Sequence, residues 1–185
     1  MRLLIVRHAI AEDREEFARR EPDDSRRPLT KAGRRKMRRG AAGLRALVPR
    51  IDLLATSPFT RAAETAEIVA GAYSGLEPAA VSELTPDAKY KDFFAWLRTQ
   101  AHHDVIAIVG HEPYLSGLAS LLLSGRNDPI LVLKKGAACL VEFDGGSVDE
   151  AAPATPDVGA GKARLLWSLT PGQLRRMRGT RRARR

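Results

Sequence analysis

The chain begins with an apolar run that stops abruptly at a charged and a titratable residue. Leu3 to Val6 are apolar, and Arg7 and His8 follow directly, with small Ala9 after them. Runs of β-branched and leucine residues are typical of a buried parallel strand. Ligands in open α/β sheets bind just beyond the carboxyl ends of the strands. The pattern therefore predicts a guanidinium and an imidazole at the place where such folds carry out chemistry.

The same arrangement occurs twice more along the chain. The apolar run 51–55 is followed within six residues by Arg61, and the run 105–109 is followed by Gly110 and His111. Three strand-like segments thus each present an arginine, a histidine or both at their ends. Unrelated surface residues do not account for three such coincidences. We therefore expect one shared site at the carboxyl ends of these strands.

Four segments of the chain have helical patterns. Thr30 is positioned to cap the first helix, and Ser57 is interpreted as the cap of the second, with Pro58 at its first position. Arg61 then lies in the first turn of that second helix. The predicted helices span residues 31–48, 58–72, 92–100 and 114–124.

The rest of the chain predicts loops and further strands. Residues 130–133, 137–143 and 163–169 are interpreted as strands, and 144–162, rich in Gly, Ala and Pro, as a hairpin loop. Residues 11–28 are charged and contain two prolines, so a loop or broken helix is expected there, as a flap over the site. The expected fold is a three-layer α/β/α domain, with a mainly parallel central sheet and antiparallel C-terminal edge strands.

The net charge of +9 comes mainly from the end of the chain. Seven arginines lie among residues 175–185, and without them the formal net charge is +2. We predict a folded domain at 1–171 and a basic, disordered tail at 172–185. Such a tail could touch nucleic acid or an acidic partner. The aromatic content of 5% disfavours a base-stacking nucleic-acid module.

The sequence also carries expectations about location. No apolar stretch reaches the length of a membrane span, and the first strand begins within two residues of the start. Neither a membrane segment nor a cleavable signal peptide is therefore expected. The single cysteine, Cys139, lies in an apolar segment and is expected to be buried and free. The expected compartment is the cytoplasm.

Arg7, His8, Arg61 and His111 together suit phosphoryl transfer. A transferring phosphoryl group carries negative charge on its oxygens, so catalysis requires fixed cations and donors around it. Arginine supplies paired donors that match phosphate, and a helix N-terminus adds free N–H groups. A neutral imidazole is a competent nucleophile at phosphorus. No metal and no cofactor are required, because two histidines and two arginines make a poor site for a divalent cation.

These motifs together resemble a known family. RHA at 7–9, SPFTRAAETA at 57–66 and GHEP at 110–113 resemble the histidine phosphatase superfamily, also called phosphoglycerate mutase-like. RPLTKAG at 27–33 and ELTP at 83–86 resemble its SixA-type protein-phosphohistidine phosphatase branch. RHA alone is a weak motif. The ordered set, which extends over nearly the whole chain to about residue 171, is specific.

The resemblance implies a mechanism and a substrate. His8 would be the nucleophile and form a phosphohistidine intermediate that water hydrolyses. Arg7, Arg61 and His111 would surround the phosphoryl oxygens. The implied protein is a cofactor-independent phosphatase whose favoured substrate, and hence partner, is a protein phosphorylated on histidine.

Two other functions and the general acid stay open. The same scaffold could hydrolyse small phosphate esters, or the chain could bind nucleic acid or an acidic protein through its arginine tail. The resemblance makes Glu83 the candidate general acid by its position, with Asp87 second and Glu112 adjacent to His111. The SixA-type branch depends less on such an acid, since an imidazole leaves phosphorus more readily than an alkoxide does.

Overall fold

The computed structural model of the protein describes residues 1–144 and 157–177. The helices are α1 (Arg14–Ala18), α2 (Lys31–Leu47), α3 (Thr60–Ala70), α4 (Tyr90–Thr99), α5 (Tyr114–Ser124) and α6 (Pro171–Leu174). The strands are β1 (Arg2–Arg7), β2 (Leu53–Thr56), β3 (Pro78–Ala80), β4 (Val105–Gly110), β5 (Ala138–Phe143) and β6 (Ala163–Leu169). Within these described ranges, no helix is long and apolar enough to cross a membrane.

The six strands form one sheet in the order β3-β2-β4-β1-β5-β6. The first four strands in this order are parallel to one another, whereas β5 runs antiparallel to β1 and β6 antiparallel to β5. The predicted parallel sheet with an antiparallel C-terminal edge is confirmed. It places β4 between β1 and β2, so the three strands that precede the sequence motifs are direct neighbours.

Helices cover both faces of the sheet. In β1, Leu4 and Val6 face the core formed with α2 and α3, whereas Leu3 and Ile5 face the core formed with α4 and α5. This alternation is the period-2 pattern of a strand, and here both of its faces are apolar because both are covered. The predicted three-layer α/β/α architecture is confirmed. Cys139 in β5 is fully buried, and burial raises the pKa of its thiol to about 12.

Several local details differ from the sequence-based predictions. Residues 130–133 form no strand: Ile130 and Val132 are 60% and 76% exposed, and only Leu133 is buried. These apolar side chains are thus mostly left exposed and are not packed in a sheet. The α3 helix begins at Thr60 rather than at position 58, and Phe59 rather than Ser57 takes the cap position. The short β3 strand was missed, since its Pro-Ala-Ala sequence has low strand propensity.

The C-terminal helix α6 extends the folded part beyond residue 171. Thr170 caps it, and the side chain of Gln173 bonds back to the Thr170 backbone in a reciprocal capping box. Leu174 is fully buried in the core on the α2 side of the sheet. Residues 171–174, most of which the sequence assigned to the tail, are thus packed on the domain. The tail residues 178–185, and residues 145–156 of the predicted hairpin loop, lie outside the described residues.

Two glycines of α2 provide a matched test of this packing. A Cβ atom at Gly43 would lie 1.9 Å from the carbonyl oxygen of Leu174, whereas at Gly40 its nearest neighbour would be the Met37 sulfur at 3.9 Å. We expect Gly43→Ala to lower the free energy of unfolding by about 1–3 kcal/mol, because the overlap displaces α6. Gly40→Ala should raise it by about 0.5–1 kcal/mol through helix propensity. Urea unfolding of both variants measures the difference, and equal effects would contradict the close α2–α6 contact.

Candidate active site

The carboxyl ends of β1, β2 and β4 bring the predicted site residues together. Arg7 is in register with Gly110, and the backbone N–H of His8 donates to the Gly110 carbonyl at 3.0 Å. The rings of His8 and His111 lie 5.2 Å apart. Arg7, His8, Arg61 and His111 all line one cavity of about 690 Å³. The sheet register therefore collects four predicted residues from three separate motifs.

The His8 ring is held in one orientation by its own neighbours. Its Nδ1 lies 2.7 Å from the carbonyl oxygen of Ala9. The Ala9 N–H donates to the Thr65 hydroxyl at 3.0 Å, and that hydroxyl donates to the Arg61 carbonyl at 2.7 Å. Because a carbonyl oxygen only accepts, Nδ1 carries the proton and Nε2 keeps its lone pair. A nucleophilic nitrogen is thus fixed in the cavity by α3.

Both imidazoles of the site are held neutral. Burial, reinforced by the charges of Arg61, Arg7 and Arg27, lowers the pKa of His8 to about 3. Burial and Arg61 lower the pKa of His111 to about 2. The exposed fractions are 5% for His8 and 2% for His111. A neutral ring at physiological pH is the form that can attack phosphorus.

Ser57 orients His111 instead of capping α3. The Ser57 hydroxyl accepts from the Phe59 N–H at 3.3 Å and lies 2.8 Å from His111 Nε2. The hydroxyl can donate its own proton to Nε2, and in that tautomer Nδ1 is the N–H donor of the ring. Phe59, which takes the cap position of α3, packs edge-on against the His111 ring with centroids 5.2 Å apart.

Asp24 and Arg27 belong to the site, although sequence reasoning did not select them. Arg61 donates to the Asp24 carbonyl at 2.8 Å and pairs with its carboxylate at 3.1 Å. Arg27, only 8% exposed, donates to the same carboxylate at 2.8 Å. Although burial raises the pKa of Asp24, hydrogen bonds from Arg27 and Arg14 bring it below the ordinary value. Arg27 begins the RPLT motif, and that motif was the signal available in the sequence.

The segment predicted as a flap forms one wall of the cavity. Residues 11–28 contain α1 and a 3-10 turn at Asp24–Arg26, so the interpretation as a broken helix is confirmed. Asp13, Asp24 and Arg27 line the cavity from this segment. A bridge between Ala11 and Leu29 joins its two ends, so the wall is tied to the domain at its base.

Several buried donors around the cavity have no partner. Among the described residues, four buried side-chain polar atoms make no hydrogen bond, and three of them are Arg7 Nε, Arg61 Nε and His111 Nδ1. Arg7 is otherwise fixed by a 2.6 Å hydrogen bond to the Leu133 carbonyl. An unsatisfied buried donor is unfavourable by about 1–3 kcal/mol. The three donors therefore match an anion with several acceptor oxygens.

The carboxylates around the cavity differ from expectation. Glu83, the first candidate for a general acid, does not line the cavity, and its carboxylate accepts from the Ser82 hydroxyl at 2.9 Å. Asp87 and Glu112 do line it. Glu112 accepts from the Leu133 N–H at 3.3 Å, whereas Asp87 is exposed at the rim.

The cations of the site are arginines. Among the described residues, no three His, Cys, Asp or Glu side chains are grouped so that they could hold a metal ion. The positive charge that a phosphoryl group requires is already supplied by Arg7, Arg27 and Arg61, which all line the cavity.

The neutral imidazoles predict acid sensitivity. Between pH 6.5 and about 3 the unfolded chain protonates His8 and the folded chain does not, so stability falls as pH falls through this window. We expect His8→Asn to make the slope of unfolding free energy against pH shallower by up to ~1.4 kcal/mol per pH unit. Urea titrations in phosphate-free buffer measure the slope. His102→Asn, at an exposed position, is the control, and equal slopes in wild type and His8→Asn would refute the explanation.

Comparisons with known proteins identify the family. The model of the histidine phosphatase superfamily (branch 1) matches residues 3–86. An uncharacterised protein of Picosynechococcus sp. is 37% identical over 137 residues, which cover 73% of this chain and 81% of that protein.

Two solved structures share the fold. The protein histidine phosphatase SixA, complexed with tungstate, has a TM-score of 0.74 and 24% identity, over 94% of this chain and 99% of that one. The alpha-ribazole phosphatase of Shigella flexneri has a TM-score of 0.62 and 18% identity, over 88% of this chain and 97% of that one. With the family model, the curated relative and the shared fold in agreement, the chain belongs to the histidine phosphatase superfamily and is a phosphatase.

Proposed function

We propose that this phosphatase removes phosphoryl groups from phosphohistidine in proteins, with His8 Nε2 as the nucleophile and no cofactor. The observation that carries the proposal is one cavity lined by Arg7, Arg61, His111 and a neutral His8, with Arg7 Nε, Arg61 Nε and His111 Nδ1 buried and without a hydrogen-bond partner. The N–H groups of these side chains can donate to the three oxygens of a phosphoryl group. Arg27 also lines the cavity, and its charge is compensated by Asp24.

In the first step His8 Nε2 attacks the phosphorus of the substrate. A bond forms between Nε2 and phosphorus while the phosphorus–nitrogen bond of the substrate breaks, and its electron pair stays on the substrate imidazole. That imidazole leaves as a neutral ring when its other nitrogen already carries a proton. The donors of Arg7, Arg61 and His111 stabilise the charge on the transferring oxygens.

In the second step water regenerates the enzyme. The oxygen of water attacks phosphorus, and the Nε2–phosphorus bond breaks with its electron pair returning to Nε2. Inorganic phosphate leaves with the oxygen and one proton of that water, and the other proton passes to solvent. His8 Nδ1 keeps its proton, which it donates in a hydrogen bond to the Ala9 carbonyl. The phosphorylated ring is therefore cationic, and a cationic ring is a good leaving group.

The choice of phosphohistidine over a phosphate ester rests on the leaving group. An alkoxide requires a proton from a positioned acid, and Glu83 does not line the cavity. Asp87 is exposed at the rim and makes no hydrogen bond or ion pair to another described residue. A phosphorus–nitrogen bond does not need such an acid. The similarity in fold to a protein histidine phosphatase supports this substrate, whereas the alpha-ribazole phosphatase shows that the fold also serves esters.

Replacing the nucleophile tests the mechanism. His8→Ala should lower kcat on a phosphohistidine protein by a factor on the order of 10³ or more, since covalent catalysis is lost while the fold is kept. The control is His102→Ala, which removes an exposed imidazole. Circular dichroism confirms folding, and transfer of ³²P to the protein detects the intermediate. A folded His8→Ala protein with a tenth of wild-type turnover would exclude His8 as the nucleophile.

Replacing the carboxylates tests the choice of substrate class. We expect Asp87→Asn to slow hydrolysis of both an alkyl phosphate ester and phosphohistidine only a few-fold, because Asp87 is exposed at the rim and is not held as a general acid. Glu83→Gln, outside the cavity, should leave both rates nearly unchanged and serves as the matched control. Paired rates on each purified variant give the answer. Equal large losses on both substrates in Asp87→Asn would favour an ordinary phosphomonoesterase.

A further inference from the structure

A second cavity, of about 590 Å³, adjoins the catalytic cavity and shares Arg7 and Lys135 with it. It lies between α2, the loop before β5 and the start of α6. We call it the basic groove, and its walls include Lys36, Met37, Lys134, Lys135, Pro171 and Arg175. A group bound in the groove would lie beside a phosphoryl group bound in the catalytic cavity. The groove is therefore placed to bind another part of the same substrate.

The charges of the groove are uncompensated. Its lining contains no acidic residue, and Lys36, Lys134, Lys135 and Arg175 form no ion pair with any acid among residues 1–144 and 157–177. Cations grouped without counter-charges repel one another and attract anions. A negatively charged occupant would relieve that repulsion.

The opposite wall of the catalytic cavity differs in this respect. There the two flap arginines that line the cavity, Arg14 and Arg27, both pair with Asp24 of the flap. The acids Glu12, Asp13 and Asp23 line the same wall, so an acidic segment that extends from the substrate is less favoured on the flap side. The asymmetry directs it into the groove.

The floor of the groove suits a polypeptide. Ile10, Pro171 and Gly172 supply partly exposed surface, and Met37, Gly33, Gly40 and Gly136 are buried beneath it. The lining has no aromatic residue on which a base could stack, and proteins that bind single-stranded nucleic acid rely on such stacking. Gly136, at φ 78°, forms the turn whose N–H donates to the His8 carbonyl at 3.0 Å, so one wall is tied to the nucleophile.

We propose that the basic groove binds an acidic segment of the phosphoprotein whose phosphohistidine enters the catalytic cavity. The inference rests on the proposed function, which it deepens by giving the enzyme a preference for histidines near glutamates or aspartates. Lys36 and Arg175 line the groove and not the catalytic cavity, whereas Lys135 lines both cavities and lies at their junction.

The test compares two peptides on matched variants of the full chain. Each peptide carries one histidine phosphorylated with phosphoramidate, flanked on both sides by glutamates in one peptide and by glutamines in the other. The groove variant is Lys36→Gln with Arg175→Gln. The control is Arg35→Gln with Arg39→Gln, which removes the same charge from exposed positions of α2 outside the groove.

At low ionic strength we expect wild type and the control variant to have a kcat/KM for the glutamate peptide about fivefold or more above that for the glutamine peptide. The difference should come from a lower KM for the glutamate peptide. The groove variant should lose this preference and keep its turnover of free phosphohistidine. A wild type without preference, or an equal loss in the control, would overturn the proposal. Raising the salt concentration should reduce the preference in the same way, because exposed charges are screened.

A binding arm separates this inference from the proposed function. Fluorescence anisotropy measures binding of a labelled glutamate peptide without phosphate, alongside a single-stranded oligonucleotide. Peptide binding that is weakened only in the groove variant supports the groove, whether or not the phosphopeptides are hydrolysed. Absence of hydrolysis of both phosphopeptides would refute the phosphohistidine substrate but not the groove. Tighter oligonucleotide binding with the same dependence on Lys36 and Arg175 would overturn the acidic-peptide proposal in favour of nucleic acid.

Discussion

Asp24 allows two arginines to be buried beside the proposed nucleophile. A buried guanidinium without a counter-charge is strongly unfavourable, and Arg61 and Arg27 would also repel each other. The Asp24 carboxylate accepts from Arg27 at 2.8 Å and pairs with Arg61 at 3.1 Å. Because Asp24 belongs to the flap, the same contact closes one wall of the cavity. Charge balance and cavity shape are therefore set by one side chain.

The buried arginines have a second consequence, which concerns the imidazoles. Their positive charge adds to burial in lowering the pKa of His8 to about 3. A site made attractive to phosphate in this way also keeps its nucleophile unprotonated, so no separate base is needed to activate it. The Ala9 carbonyl then selects the tautomer that leaves Nε2 available. The arginine charges thus contribute both to anion binding and to the neutral state of the proposed nucleophile, although burial is the larger cause of that neutral state.

Much of this arrangement could be predicted from the sequence, because each strand-end motif is local. Apolar runs that stop at Arg7-His8 and before His111 indicate both the strands and the residues at their ends. The Asp24–Arg61 pair could not be predicted in this way, because it joins residues 37 positions apart through a flap whose path no periodicity reveals. Ser57 has the sequence of a helix cap, and only the sheet register shows that its hydroxyl is used by His111. Local sequence patterns identify helices and strands, whereas contacts between side chains of different elements depend on how those elements are arranged.

The position of the C-terminal helix α6 changes how the basic residues at the end of the chain are interpreted. The arginines after residue 174 are, in sequence, the start of a solvated basic tail. In the structure α6 packs on α2 through the close approach of Gly43 to Leu174, and this places Arg175 across the groove from Lys36. A basic residue on a folded wall keeps a fixed position relative to the active site. The first arginine of the basic run is thus held where the proposed recognition of an acidic segment requires it, a placement that net charge alone cannot specify.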